Sequence, residues 1–133
     1  LATKIGAHYQ GSNLPDYVCP TPLHWSRLHQ RGYNQSLIIA KCLKQHLGVP
    51  IRQTVLKRIK RTPEQKKASR QQRRLNLRGA FVAHPDVYGK SIALVDDVMT
   101  TGETVNAAST ALLSVGATSV DVWTIARTPK PCD

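Results

Sequence analysis

A short apolar run followed by two adjacent acids constrains this chain more than any other stretch. The run is Ser91-Ile92-Ala93-Leu94-Val95, and Asp96 and Asp97 come directly after it. Apolar residues at successive positions are typical of a parallel strand that is covered on both faces. The acid pair is therefore expected where this strand ends, at the carboxyl edge of a sheet.

A turn and a helix are predicted after the acid pair. Thr100, Thr101 and Gly102 have the composition of a turn, and the residues beyond them carry an apolar stripe with helical spacing. The stripe consists of Val105, Ala108, Leu112 and Val115. The first N–H groups of a helix have no partner within it and carry partial positive charge, so a phosphate fits there.

The residue types around this turn indicate a phosphorylated sugar as the ligand. Gly102 lets the backbone approach a phosphate closely, and the threonines offer hydroxyl groups. Asp96 and Asp97 lie outside the phosphate cup, because a phosphate would repel them. Their expected partners are sugar hydroxyls and a hard cation such as Mg²⁺, which prefers oxygen ligands.

Other interpretations of the motif were weighed. The acids could be ordinary solvated residues at a strand end, followed by an ordinary turn. A Walker A loop is excluded because Gly89-Lys90-Ser91 has His84 at the place of the first glycine and precedes a strand. No G-x-G-x-x-G pattern occurs, so a dinucleotide-binding fingerprint has no support.

Length, composition and charge set wider bounds. A chain of 133 residues with 41% apolar content suits a single domain with one core. The formal net charge of +11 implies attraction to polyanions, which include pyrophosphate, nucleotides and nucleic acid. Charge alone does not choose among these ligands.

Cysteine usage and hydropathy indicate a cytoplasmic protein. The three cysteines, Cys19, Cys42 and Cys132, are far apart, so a disulfide framework is disfavoured. No Cys-x-x-Cys spacing occurs, which disfavours zinc. Neither a signal peptide nor an apolar run of membrane-spanning length is present in the sequence, so no membrane insertion is expected.

The motif and three further stretches carry a family resemblance. The segment 94–104 resembles the phosphoribosyl pyrophosphate (PRPP) binding motif of type I phosphoribosyltransferases, and the chain from about Tyr17 to Pro129 is similar to the ComF family, which includes GntX-like proteins. The further stretches are Pro22-Leu23-His24 with Arg27, Arg31-Gly32-Tyr33-Asn34-Gln35 and Asn76-Leu77-Arg78-Gly79-Ala80-Phe81.

The resemblance implies an α/β fold. It is the Rossmann-like type I phosphoribosyltransferase fold, with a mainly parallel central sheet of about five strands and ligands at the carboxyl ends of the strands. A small hood is expected from the N-terminal segment and a basic loop. We expect one such domain over residues 1–133, without the cysteine-rich zinc module that many ComF relatives carry ahead of it.

The resemblance also implies roles for individual residues. Asp96 and Asp97 are the expected catalytic residues, which bind the ribose hydroxyls directly or through Mg²⁺. The 5′-phosphate is expected at Met99, Thr100, Thr101, Gly102, Glu103 and Thr104. Pyrophosphate is expected at Arg27, Arg31 and Gly32. Glu103 stands where the family often has a small residue, which either weakens phosphate binding or leaves the side chain pointing away.

A strongly basic stretch precedes the motif. Residues 57–78 hold ten of the nineteen basic residues and one acid, Glu64. Such a run is usually a solvated charged loop. In the family a mobile loop at this place folds over the active site, and the resemblance assigns that role to Lys57, Arg58, Lys60, Arg61, Lys66 and Lys67.

Two functions follow from the resemblance. The first is a phosphoribosyltransferase that binds Mg-PRPP, and the acceptor is not specified by the sequence. The second is a non-catalytic accessory of natural competence that binds single-stranded DNA and works with a DNA-translocating helicase. Aromatic residues are only 5% of the chain, and we expect Trp25, Tyr33 and Tyr88 to pack in the core or in loops. The resemblance leaves a homodimer open.

Secondary structure is predicted along the rest of the chain from local signals. A loop is expected from Thr21 to Tyr33, and a helix over Gln35–Leu47 with Asn34 as cap and Gly48 as stop. The other predicted elements are strands at Tyr17–Cys19, from Val49 to Ile51, at Val55–Ile59 and at Val120–Ile125, and a helix over Ala68–Leu77.

Overall fold

The computed structural model describes Lys4 and residues 13–60, 69–99 and 102–127. Its strands are β1 (Tyr17–Pro20), β2 (Leu56–Arg58), β3 (Phe81–Ala83), β4 (Ser91–Met99) and β5 (Ser119–Arg127). Its helices are α1 (Trp25–Arg31), α2 (Gln35–Leu47), α3 (Arg70–Leu77) and α4 (Glu103–Ser114). Most of the predicted hood, in the N-terminal segment and the basic loop, lies outside the described residues.

A parallel sheet with β4 at its centre organises the described residues. The strand order is β1-β4-β5, and both pairings are parallel. On the other edge of β1, Val18 forms a parallel bridge with Ile51. The chain therefore leaves β1 towards one side of the sheet and later enters β4 on the other side. Such a reversal of strand order marks where α/β sheets bind ligands.

The two faces of β4 explain why its sequence is apolar rather than alternating. Ile92 and Leu94 pack into one hydrophobic cluster, which includes the buried residues of α4. Ala93 and Val95 pack into a second cluster, against α2 and Trp123. A strand that is covered on both faces needs apolar side chains at successive positions. The predicted buried strand is thus confirmed.

Helix α2 has the bounds that its sequence predicts. Asn34 caps it by accepting a hydrogen bond from the backbone N–H of Ser36, and Gly48 ends it in the left-handed conformation. The N–H of Gly48 donates to the carbonyl oxygen of Lys44. Ile39 and Leu43 face the sheet and are buried. These local signals are sufficient to place both ends of the helix.

The five strands form two sheets, because β2 and β3 pair with each other instead of joining the parallel sheet. They form an antiparallel two-stranded ladder in which Lys57 faces Val82. The segment 81–83, which the sequence shows only as a brief apolar stretch, is thus a strand. The predicted strand from Val49 contributes only the bridge at Ile51.

Two further expectations differ from the structure. The region predicted as a loop from Thr21 to Tyr33 contains helix α1. The acid pair does not follow the strand but lies inside it, because β4 continues to Met99 and remains paired with β5 up to Arg127.

Among the described helices, none has the length and apolarity to cross a bilayer.

Candidate functional site

The carboxyl ends of β1 and β4 meet at the point where the strand order reverses. The carbonyl oxygen of Val95 accepts two hydrogen bonds from Thr21, one from its backbone N–H at 2.8 Å and one from its hydroxyl at 2.9 Å. Val95 immediately precedes the acid pair in the sequence. These bonds hold the start of the 21–34 segment, which connects β1 to α2, beside Asp96 and Asp97.

Asp96 and Asp97 form a compact, partly buried acid pair. The backbone N–H of Asp97 donates to Oδ1 of Asp96 at 3.0 Å. Burial raises the pKa of Asp96 to about 6, and the negative charge of Asp97 adds to the rise. The hydroxyl of Ser36 opposes the rise by donating a hydrogen bond to the Asp96 carboxylate. Partly buried carboxyl groups with a raised pKa are frequent at functional sites.

The start of α4, which follows the acid pair in the sequence, supplies backbone donors. Gly102 occupies the cap position with φ of 81° and contributes no side-chain acceptor to the helix. A positive φ is accessible to glycine without strain. Thr104 follows in the first turn. Met99 ends β4, while Thr100 and Thr101 lie outside the described residues.

The side chain of Glu103 is buried, with 6% of its surface exposed. It lines a cleft of about 430 Å³ beside α4, whose other walls include Leu77, Phe81 and Ala107. Neither Asp96 nor Asp97 lines this cleft. The effect of Glu103 on phosphate binding stays a prediction.

Helix α1 presents the predicted pyrophosphate residues. His24 caps it, with Nδ1 accepting from the N–H of Ser26 at 3.3 Å. Gly32 ends it in the left-handed conformation with φ of 76°. Arg27 is partly buried and Arg31 is exposed. None of the seven described residues of α1 is buried.

Arg27 lies close to Arg58, thirty-one positions further along the chain. Burial lowers the pKa of the Arg58 guanidinium, and the positive charge of Arg27 lowers it further. The Arg58 guanidinium lies 5.5 Å from the centre of the Phe81 ring and donates from Nε to the carbonyl oxygen of Lys60 at 3.4 Å. The structure thus brings together one cation from the predicted pyrophosphate segment and one from the predicted basic loop.

The rest of the basic loop divides into two groups. Lys57 and Lys60 are exposed at β2 and just after it. Arg61, Lys66 and Lys67 lie outside the described residues.

Ser36 and Thr21 belong to the site, although the sequence analysis did not select them. Both are buried polar residues. Ser36 stands two positions after the cap residue Asn34, a spacing that only signals the start of a helix. Thr21 lies between two prolines, which signals a loop. Their proximity to the acid pair depends on the packing of β1 and α2 against β4.

Three aromatic side chains that were expected to pack in the core or in loops lie outside the core. Trp25, Tyr33 and Tyr88 expose 73%, 50% and 76% of their surface, respectively. Trp25 contacts His24, with 5.4 Å between the ring centres. Trp25 and Tyr33 flank the arginines of α1, whereas Tyr88 precedes the opposite end of β4.

The acid pair fits a magnesium ion that is shared with a ligand. Mg²⁺ in proteins is commonly bound by one or two carboxylates together with oxygens from phosphates and water. Asp96 and Asp97 supply two adjacent carboxyl groups. Burial and mutual repulsion make the ionised pair unfavourable, which a divalent cation would relieve. Within the described ranges, no group of three or more potential ligand side chains is assembled.

Solved structures identify the class of fold. Purine phosphoribosyltransferase from Pyrococcus horikoshii aligns with a TM-score of 0.60 and 20% identity, over 97% of this chain and 69% of that chain. Adenine phosphoribosyltransferase from Saccharomyces cerevisiae aligns with a TM-score of 0.61 and 14% identity, over 96% and 64%. The chain has the type I phosphoribosyltransferase fold, as the sequence predicted.

Sequence comparison identifies the family. The phosphoribosyl transferase domain model matches residues 34–131. The chain therefore belongs to the phosphoribosyl transferase domain family.

The curated relatives confirm the resemblance to the ComF group. Competence protein F of Haemophilus influenzae is 38% identical over 96% of this chain, and DNA utilization protein YhgH of Salmonella typhimurium is 40% identical over 89%. Competence protein ComFC of Bacillus subtilis is 32% identical over 83%. The chain spans 57%, 52% and 44% of the length of these relatives, respectively.

Proposed function

We propose that this chain binds Mg-PRPP, or a molecule that carries a 5-phosphoribosyl group, and transfers or recognises that group. The observation that carries the proposal is the position of Asp96 and Asp97 at the strand-order reversal, directly after Val95, to which Thr21 is bonded, and ahead of a helix capped by glycine. We place this activity in the cytoplasm and within a single domain. Its service to natural competence is proposed from the names of the relatives.

The 5′-phosphate is proposed to bind at the segment 99–104. The backbone N–H groups at the start of α4 point away from the helix and carry partial positive charge. Gly102 lacks a side chain that could occupy them, so a ligand oxygen can act as their acceptor. The hydroxyls of Thr100, Thr101 and Thr104 complete this proposed set. Glu103 is proposed to contribute its backbone amide, because the residue is otherwise buried.

Asp96 and Asp97 are proposed to orient the ribose. Their carboxylates accept hydrogen bonds from the 2′- and 3′-hydroxyls, directly or through the metal. They also favour the positive charge that develops on the ring as the bond between C1 and pyrophosphate breaks and a nitrogen nucleophile attacks. Mg²⁺, when bound, neutralises charge on the leaving pyrophosphate.

Arg27 and Arg58 are the proposed pair for pyrophosphate. Burial is the main cause of the lowered pKa of Arg58, and repulsion by the positive charge of Arg27 adds to it. An anion that contacts both removes this repulsion and gains charge-assisted hydrogen bonds. Arg31, Gly32 and the remaining residues of the basic loop belong to the same proposal.

Calorimetry tests the proposed ligand. The chain is titrated with PRPP and Mg²⁺ and compared with the variant Asp96→Asn, Asp97→Asn. Binding that disappears in the variant supports the assignment. Equal affinity in both proteins would contradict it. The matched control is Asp121→Asn, which changes an exposed acid near the amino end of β5.

A second candidate function is binding of single-stranded nucleic acid, with or without turnover at the ribose site. The observation that favours it is that Trp25, Arg31 and Tyr33, at the two ends of α1, are all exposed. Aromatic rings that stack on bases, with cations for the phosphates, are the usual components of single-strand binding surfaces. The relatives that are named for DNA utilization and competence motivate the same proposal.

Filter binding of labelled single-stranded DNA in a salt series tests this second function. Affinity should fall as salt increases, because bound phosphates release counterions. Trp25→Ala should weaken binding by about tenfold if a base stacks on the indole. Tyr88→Ala, at the opposite end of β4, is the control. Absence of binding at low salt would exclude the candidate.

A further inference from the structure

Both ends of the 21–34 segment are tied to the same point of the sheet. Thr21 donates twice to the carbonyl oxygen of Val95. At the other end, Nδ2 of Asn34 donates to the carbonyl oxygen of Thr21 at 3.1 Å. Residues 21 and 34 are thus held together. The residues between them, which include α1, form a closed segment at the carboxyl edge of the sheet, called the excursion below.

The excursion itself is not anchored by a hydrophobic core. None of the seven described residues of α1 is buried, and an isolated helix of this length is marginal in water. The orientation of α1 therefore depends on its two ends more than on its own packing. Because Arg27 and Arg31 lie on α1, their positions also depend on how its two ends are held.

The side chain of Asn34 makes two bonds that serve different purposes. Oδ1 accepts from the N–H of Ser36 at 3.0 Å and caps α2. Nδ2 closes the excursion through Thr21. Asp, Ser and Thr cap helices about as well as Asn does, so the cap alone does not require an amide. Here one side chain accepts a hydrogen bond at one atom and donates another from a second atom. Among side chains of this length, the amide of asparagine does both.

We infer that Asn34 is a positioning residue for the pyrophosphate half of the ligand. By closing the 21–34 segment, it holds α1 and its arginines at the carboxyl edge of the sheet. Within the described part of the chain, its side-chain hydrogen bonds go to Thr21 and Ser36 and not to the start of α4, where the 5′-phosphate is proposed to bind. This role rests on the proposed function, and it predicts that the two halves of the ligand respond differently when the amide is lost.

The experiment compares two probes on the same variants. Mg-pyrophosphate and ribose 5-phosphate are titrated separately, by calorimetry, into the chain and into Asn34→Asp and Asn34→Ser. Both variants retain a capping oxygen and lose the donor to Thr21, and the serine variant does so without adding a charge. Gln45→Glu, which changes an exposed amide in the last turn of α2, is the matched control.

The expected result is a selective loss. Pyrophosphate affinity falls about fivefold in both variants, the equivalent of one hydrogen bond, while ribose 5-phosphate affinity stays within about twofold. An equal loss of both ligands, or unchanged pyrophosphate affinity in Asn34→Ser, overturns the positioning role. If the unaltered chain binds neither probe, the proposed function fails, and the positioning role fails with it.

A measurement on the unaltered chain covers the case in which the variants do not fold. The side-chain amide protons of Asn34 should exchange slowly with solvent in nuclear magnetic resonance spectra, because Nδ2 donates to a backbone carbonyl. Their resonances should shift on addition of Mg-pyrophosphate and remain unchanged with ribose 5-phosphate. Fast exchange, or equal shifts with both probes, contradicts the inference.

Discussion

Arg27 on α1 lies near Arg58, the last residue of β2, and its positive charge lowers the pKa of the Arg58 guanidinium. Burial of Arg58 contributes more to this lowering than Arg27 does. Two cations at short range are unfavourable for the fold and favourable for an anionic ligand. Function and stability are therefore expected to respond in opposite directions to the same substitution at this place.

Arg27→Gln is predicted to raise thermal stability slightly and to weaken pyrophosphate binding. Because the pKa of Arg58 is depressed in the folded chain, the charged form of Arg58 is disfavoured there, and removing Arg27 relieves part of that cost. The loss of a charge-assisted contact should reduce pyrophosphate affinity about tenfold. Melting temperature and calorimetry measure the two effects. Lys44→Gln, an exposed change on the last turn of α2, should alter neither, and a destabilised Arg27→Gln would contradict the explanation.

Asp96→Asn is predicted to stabilise the chain at neutral pH and not at acid pH. The pKa of Asp96 is raised to about 6 from 3.8, so the folded chain holds this proton more tightly than the unfolded chain. Stability that depends on Asp96 is thus fully present below pH 3.8 and is lost as pH rises to about 6. The variant should gain about 1–2 kcal/mol at pH 7.5, after allowance for solvent screening.

Urea unfolding at several pH values measures this gain. Asp121→Asn, which changes an exposed acid on β5, is the comparison variant. A gain for Asp96→Asn that is independent of pH would indicate that its charge is not the cause. The expected behaviour is that of a functional residue that carries a cost in stability.

Gly116→Ala is predicted to destabilise the chain more than Gly89→Ala. Both glycines have positive φ, 105° at Gly116 and 73° at Gly89. An added Cβ at Gly89 meets open space, whereas at Gly116 it overlaps the ring of Tyr88. The left-handed conformation alone costs a residue with a side chain about 1 kcal/mol, and the overlap should raise the cost at Gly116 to about 2–3 kcal/mol.

A double variant distinguishes the two causes at Gly116. Tyr88→Ala removes the ring that an added Cβ would meet. In that background Gly116→Ala should cost about as much as Gly89→Ala, as measured by urea unfolding. If Gly116→Ala still costs the full free energy of unfolding in the Tyr88→Ala background, the cost comes from the backbone conformation alone.

Cys19 and Cys42 are predicted to differ strongly in their reaction with iodoacetamide. Cys19 is fully buried in β1, and burial raises its pKa to about 12. At pH 8 only about one in ten thousand of these thiols is ionised, so alkylation requires unfolding. Cys42 is exposed on α2 and should react in the folded chain. Peptide mapping by mass spectrometry measures both sites, and rapid labelling of Cys19 in native buffer would contradict the buried position.

The elements with strong local signals were predictable from sequence. Helix α2 has a cap at Asn34, a stop at Gly48 and an apolar stripe, and β4 has an apolar run. The fold class followed from these signals together with the resemblance of the segment around Asp96 and Asp97. The arrangement of those elements was sufficient to expect a ligand site at the carboxyl edge of the sheet.

The remaining features depend on contacts between distant parts of the chain. Helix α1 was missed because it is short and carries no apolar stripe that faces the core. The antiparallel pairing of β2 with β3 depends on residues 56–58 and 81–83 meeting in space, which local patterns do not encode. The same is true of the contact between Ser36 and Asp96 and of the proximity of Arg27 to Arg58.

Helix α1 buries none of its seven residues, and this has a consequence for how such a domain can diversify. Surface substitutions that break no packing usually change stability by less than about 0.5 kcal/mol. The outer residues of α1 can therefore vary widely while β1, β4 and α2 stay intact. New ligand preferences could arise in this excursion during evolution without a compensating change elsewhere in the domain.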